Sequence, residues 1–236
     1  MLLRRFATTA TLLDLVWELG RSTTQISEGV RYMVEFVHQK HQHLMDERSF
    51  TAWESSFADF AAALLDVGVA LPNLIGFIDG KLQPVCKPGR YQHVLYSGHK
   101  RVHGIKFQGI VFPNGIQPHP FGPVNGSRHD SFMLAASGIL DVLRGCSNRL
   151  GQQYALFGDS AYPISPFLYR MYKGVLSVAQ QMFNKEMSPL RVFVEWGFGK
   201  IVALWPFLDY RNKFQVLLSS CGLSITGIPF RRRSFT

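Results

Sequence analysis

The chain has 236 residues, 47% of them hydrophobic and 17% charged. That allows one large domain, or one domain with a small appendage, and excludes an intrinsically disordered chain. A formal charge of +9 and a pI near 9.7 make polyanions the natural partners, nucleic acid first. The longest apolar region, Ala61 to Phe77, is broken by Asp66, Pro72 and Asn73, so no stretch reads as a membrane span. Cys86, Cys146 and Cys221 form neither a CxxC zinc pattern nor an even-numbered disulfide framework, which fits a reducing compartment.

Residues 1–50 read as a short helical region. The first thirteen, MLLRRFATTATLL, carry two Arg, three Thr and no acid, a faint likeness to a mitochondrial transit peptide that competes with a plain helix start. Leu12, Leu13, Val16 and Trp17 have helical spacing. Gly20 to Thr24 is a turn with Ser or Thr available as an N-cap. Ile26, Val30, Met33, Val34 and Val37 mark the face of a second helix. Two helices about a Gly-containing turn suggest a partial helix-turn-helix, with ordinary helix packing as the competing reading. His38, His41 and His43 follow on a polar stretch and read as a solvated face.

The period changes at Leu71. Ile75, Phe77 and Asp79 alternate with Gly76 and Ile78 as on a strand. Alternation resumes near His93 to Tyr96, and Val102 to Val111 is a further strand. Pro113-Asn114-Gly115 is a hairpin signal, with Ile116 starting the return. This predicts a three-stranded antiparallel meander. Pro118, Pro120 and Pro123, with Gly122 and Gly126, read as loop. Asp130 to Leu143 reads as one helix, Tyr154 to Phe157 as a short buried strand, Ile164 to Tyr172 as a helix, and Val175 to Val178 as a last strand. Ser188-Pro189 opens a final helix whose apolar face includes Phe193, Val194, Phe198, Ile201 and Leu204. We therefore expect a helical region over 1–50, an α/β domain over 71–215 and a basic tail over 216–236, ending in Arg231 to Arg233.

Three carboxylates stand out on this plan. Asp79 in LIGFIDGK and Asp159 in YALFGDSAYP end apolar strands, and Glu195 in SPLRVFVEWGFGK lies in a helix-like segment. A carboxylate beside a greasy strand costs several kcal/mol unless it is compensated, roughly 3–5 kcal/mol for an uncompensated buried charge. Divalent cations shared among the three would supply that compensation, and two such ions are the equipment for cutting or joining phosphodiesters. Each carboxylate has a duller reading: a turn at Asp79-Gly80, a helix cap at Asp159, a surface charge at Glu195. Asp130 in GSRHDSF reads first as an N-cap for a helix beginning at Ser131, with a supporting role near the site as the alternative; His129 precedes it. Lys100, Arg101 and Lys106 are candidate phosphate contacts. Arg191 lies one helical turn before Glu195 and could orient it through an i,i+4 pair.

The blocks FIDGKLQPV, YSGHKRVHGIKFQGIVFPNGI, GPVNGSRHDSFML, YALFGDSAYP and VFVEWGFGKIVALWPFL resemble, in order, those of the Harbinger/PIF-type DDE transposases and the nucleases derived from them. The resemblance covers about residues 75–208. It implies an RNase H-like mixed sheet flanked by helices, with Asp79, Asp159 and Glu195 as the catalytic and metal-binding triad. It also implies two Mg²⁺ or Mn²⁺ ions and DNA strand cleavage and transfer. A separate Myb-like DNA-binding partner and a nuclear setting go with the family, and an oligomer is compatible with it. The family's D-S-G-Y-P reads D-S-A-Y-P here, with Ala161. Members are commonly longer at both ends, so a truncated copy is one expectation and a non-catalytic DNA-binding or interaction module on the same fold is the alternative function.

Overall fold

The computed structural model describes residues 1–190, 199 and 201–209. Five helices come first: α1 Leu2–Phe6, α2 Leu12–Leu19, α3 Thr23–His41, α4 Glu47–Thr51 and α5 Phe57–Asp66. Local chemistry sets the ends of α2 and α3. Thr11 with Asp14 and Ser22 with Gln25 form reciprocal capping boxes, and Gly20 closes α2 in the left-handed conformation at φ 63°.

The burial of these helices corrects two expectations. On α2 the buried residue is Leu15, while Leu13 and Trp17 are exposed, Trp17 to 89%. On α3 it is Ile26, Val34 and His38 that are buried, and Val37 is exposed. His38 is thus a core residue and not part of a solvated face. Neither of its ring nitrogens has a hydrogen-bond partner among the described residues, and burial lowers its pKa.

The sheet begins with β1, Leu74–Pro84, followed by the short α6, Gln92–Leu95, and then β2 Tyr96–Ser97, β3 Val102–Val111 and β4 Phe121–Asn125. After α7 Asp130–Ser137 and α8 Ile139–Leu150 come β5 Ala155–Gly158, β6 Leu168–Arg170 and α9 Val178–Met187. The strand order is β2-β3-β1-β5-β6, with β4 also paired to β3. β1, β3 and β4 pair antiparallel, whereas β5 and β6 join β1 in parallel. This is the mixed α/β sheet flanked by helices, with an N-terminal helical region, that the sequence led us to expect.

Several elements differ from expectation for identifiable reasons. The Pro-rich stretch contains β4, an edge strand that tolerates Pro123 because its other side needs no ladder partner; the Gly122–Pro123 bond is cis. Residues 93–95 form the one-turn α6, and only Tyr96 and Ser97 are strand. The expected helix at 130–143 is two helices, broken at Gly138 with φ 64°. The expected helix at 164–172 is a turn followed by β6. The expected strand at 175–178 is instead the irregular lead-in to α9: Val175 to Ser177 precede the helix, Val178 is its first residue, and Ser177 and Gln180 cap it reciprocally.

The sheet is covered on both faces. One core joins Phe57, Phe60 and Ala61 of α5 to Ile75, Ile78, Leu156 and the buried side of α8. The other joins Leu74, Phe77 and Phe157 to Met187 of α9. Ile75 therefore shares a face with Ile78 and not with Phe77, because the β1–β5 register shifts between Leu74 and Gly76.

Candidate active site

Parallel pairing of β1 with β5 builds the site. Phe77 lies opposite Phe157 and Ile78 opposite Gly158. The next residue on each strand is an aspartate, Asp79 on β1 and Asp159 just beyond β5. Neighbouring strands lie roughly 4.8 Å apart, so the register alone delivers two carboxylates from positions 79 and 159 to one place. β1 continues unbroken through Gly80, where it pairs with Gln108, so Asp79-Gly80 is strand and not a turn.

Two glycines make room around this pair. A Cβ at Gly80 would lie 2.9 Å from Asp130 Oδ1 and 2.9 Å from Met133 Cε, so the start of α7 can close onto β1 beside Asp79. A Cβ at Gly158 would lie 2.9 Å from the Tyr162 ring and 3.1 Å from Ile78, so that ring lies across β5. Tyr162 is 1% exposed, and its hydroxyl has no hydrogen-bond partner among the described residues. Burial first, then the charges of Asp130, Asp79 and Asp159, push its pKa far above the ordinary tyrosine range. The loop after Asp159 is braced by the Tyr162 amide, which donates to the Asp159 carbonyl at 3.0 Å. The Arg170 guanidinium of β6 donates to the Ser160 carbonyl.

Asp130 is not an N-cap. α7 begins at Asp130 itself, with exposed His129 at the cap position and no side-chain capping bond. The Asp130 carboxylate instead accepts from Lys106 Nζ at 3.0 Å, with both side chains mostly buried. Lys106, one of the candidate phosphate contacts, is engaged there. Lys100 and Arg101 are exposed in the turn between β2 and β3. Glu195 and Arg191 lie outside the described residues.

Among the described residues, no three His, Cys, Asp or Glu side chains are grouped so as to hold a metal ion. With Asp130 turned to Lys106, the described donors are Asp79 and Asp159.

A family model described as DDE superfamily endonuclease matches residues 78–227, well over half of the chain. The chain belongs to this DDE superfamily endonuclease family. No curated protein and no solved structure matches it. The matched region of this DDE endonuclease starts at the β1 residue before Asp79 and takes in Asp130, Asp159 and Glu195. Such nucleases generally use divalent metals and act on DNA. Among the described residues of this DDE endonuclease, no helix is long and apolar enough to cross a membrane. Tyr162 was missed by reading the carboxylates first. Its signal was the Gly158-Asp159 pair: a glycine before a strand-end aspartate leaves a gap that a nearby large ring can fill.

Proposed function

We propose that this DDE endonuclease cuts or transfers DNA strands at a site made by Asp79, Asp159 and Glu195, in the manner of Harbinger/PIF-type transposases. The observation that carries the reading is the register of β1 on β5, which sets Asp79 and Asp159 side by side. Glu195, 36 residues beyond Asp159, is the third carboxylate of the family pattern.

The donor chemistry fits the metal the family implies. Carboxylate oxygens are hard ligands suited to Mg²⁺ or Mn²⁺. Asp79, Asp159 and Glu195 would hold two such ions, which when bound polarise the phosphate and make water or a 3′-hydroxyl a competent nucleophile. The chain's own residues do the rest. β1 fixes Asp79, and Asp159 is held at the end of β5 by the loop contacts of Tyr162 and Arg170. Lys106 neutralises Asp130, so that the third nearby aspartate adds no uncompensated charge. The Tyr162 ring is part of the core packed beneath Gly158, next to the aspartate that follows it. No side-chain nucleophile is required. The family setting further supports a nuclear location and a Myb-like partner that selects the DNA sequence.

The test is nicking of labelled duplex DNA in Mn²⁺. The wild-type chain is expected to nick, and Asp159→Ala to lose more than the ~10–100-fold that removal of an outer-shell partner costs. Mn²⁺ should also raise the melting temperature of the wild type by mass action, and Asp159→Asn should reduce that rise. A wild-type chain that binds duplex DNA, never nicks it and gains no stability from Mn²⁺ would be a non-catalytic binding module.

A further inference from the structure

Between Asp79 and Asp130 the chain carries no acidic residue at all. Residues 80–129 hold seven of the 25 Lys and Arg and none of the 16 Asp and Glu. Four of those cations, Lys87, Arg90, Lys100 and Arg101, are exposed on one short arm. The arm leaves the end of β1, runs through α6 and β2, and returns into the start of β3.

The arm is built to hold its shape. The Val85 amide donates to the His103 carbonyl at 2.9 Å, and the Arg101 amide to the Ser97 carbonyl at 2.7 Å. Ser97 lies opposite Val102, and the Tyr96 ring packs on His103 at 5.2 Å between centroids. Buried Gly126 presses against the carbonyls of Leu95 and Gly104, where a Cβ would collide with backbone. Tyr91 and Arg101 are the two non-glycine residues with left-handed backbone among those described, at φ 56° and 55°, and both sit on this arm beside a cation. Such a conformation costs of the order of 1–3 kcal/mol and persists where the surroundings enforce it.

Its place relative to the carboxylates sets a distance. From Asp79 to Pro84 is five strand residues, about 17 Å at ~3.3 Å per residue. The duplex rises ~3.4 Å per base pair along its axis, so a duplex lying along β1 would meet the start of the arm about five base pairs from the reacting bond. The two regions have opposite sign, cations at the arm and carboxylates at the site.

We infer that residues 85–103 form a preformed clamp for the backbone of duplex DNA, in which Lys87, Arg90, Lys100 and Arg101 hold phosphates about five nucleotides from the bond that is cut. This rests on the reading of the site as a DNA endonuclease. It adds where the duplex lies, and it assigns the grip to the arm and not to the helix-turn-helix-like α2–α3 pair.

The experiment measures binding of a fluorescein-labelled duplex to the full chain by anisotropy, in EDTA, from about 50 to about 200 mM salt. It compares the wild type with K87E/R90E/K100E and with R21E/R31E/K40E, which reverses three exposed cations on and just before α3. Thermal melting checks that both variants fold. The arm variant is expected to bind about ten-fold or more weakly, with a salt slope shallower by about 0.9 for each phosphate it no longer neutralises. The α3 variant should stay close to wild type. On the strand nicked in Mn²⁺, phosphate ethylation should interfere about five nucleotides from the nick for the wild type, and this interference should vanish for the arm variant.

Wild-type affinity in the arm variant, or an equal loss in the α3 variant, overturns the inference. So does a wild-type chain with no salt-dependent DNA binding. The EDTA measurement needs no catalysis, so the endonuclease reading is judged separately by Asp159→Ala. A chain that grips through the arm yet never nicks keeps the clamp and loses the enzyme.

Discussion

The sheet around β1 and β5 and the helices ahead of it are built on different principles. In the sheet, Leu74, Ile75, Phe77, Ile78 and Leu156 are at most 1% exposed, and helices cover both faces. In α2 and α3 only Leu15, Ile26, Val34 and His38 are buried, and the helices owe their ends to two capping boxes. One region is held by long-range burial and the other largely by local hydrogen bonds. Asp79 and Asp159, the aspartates of the proposed site, belong to the region that can hold position, as a site needing fixed geometry requires.

The largest expected effect comes from cutting into the sheet core. Phe57→Ala removes a fully buried ring that packs edge-on against Phe50 and Tyr154, and should cost about 3–5 kcal/mol in denaturant unfolding. Trp17→Ala on α2 should stay within about 0.5 kcal/mol, since that ring is in solvent. Equal costs would break the comparison.

Next comes Gly158→Ala. Its methyl would sit against the Tyr162 ring and Ile78, so overpacking of about 1–3 kcal/mol is expected, together with reduced nicking as Asp159 shifts. A variant with unchanged stability and activity would mean that the ring can move aside.

Tyr162→Phe should go the other way. It deletes a buried hydroxyl that has no partner among the described residues, and a rise of about 1 kcal/mol is expected by thermal or denaturant unfolding. A fall in stability would mean that the hydroxyl has a partner after all.

The smallest effect concerns pH and the helical region. His38 has a folded pKa below its unfolded value near 6.5, because burial disfavours the imidazolium. As pH falls through 6.5 the unfolded state takes up the proton first, so stability declines until pH drops below the folded pKa. His119, before β4, is shifted the same way by burial, but a backbone hydrogen bond first, and then the charges of Glu47 and Asp46, oppose its shift. His38→Leu should therefore flatten the decline below pH 6.5, with amide exchange in α3 the local readout. An unchanged acid limb would place the sensitivity elsewhere.

How far the fold was legible follows from the same contrast. The strand Val102–Val111 was read to the residue, because its apolar run is long and bounded by clear turns. Asp159 was legible as a strand-end acid; Asp79, read the same way, lies in the middle of β1, and the β1–β5 register is what sets the two positions side by side. The short runs failed. Residues 164–172 and 175–178 were assigned helix and strand and turn out to be a turn followed by a three-residue strand, and the lead-in to a helix, since such short runs have no period to measure. β4 was hidden by Pro123 and the two prolines just before the strand, and edge position, which only tertiary structure reveals, is what permits Pro123. The Lys106–Asp130 pair was out of reach for a similar reason: two residues on separate elements, each with a plausible local role, carry no joint signal in the sequence.

The parallel seam between β1 and β5 has a consequence for a growing chain. Asp79 and Asp159 are separated by 80 positions, and β1 has no parallel neighbour until residues 155–158 have been made and docked. A ribosome that stalls anywhere before that point releases a product with a single carboxylate and half a sheet. Such a fragment has nowhere to assemble the pair. On the proposed endonuclease reading, an unfinished copy would be harmless to DNA, because the two aspartates come side by side only once residues 155–159 have been made.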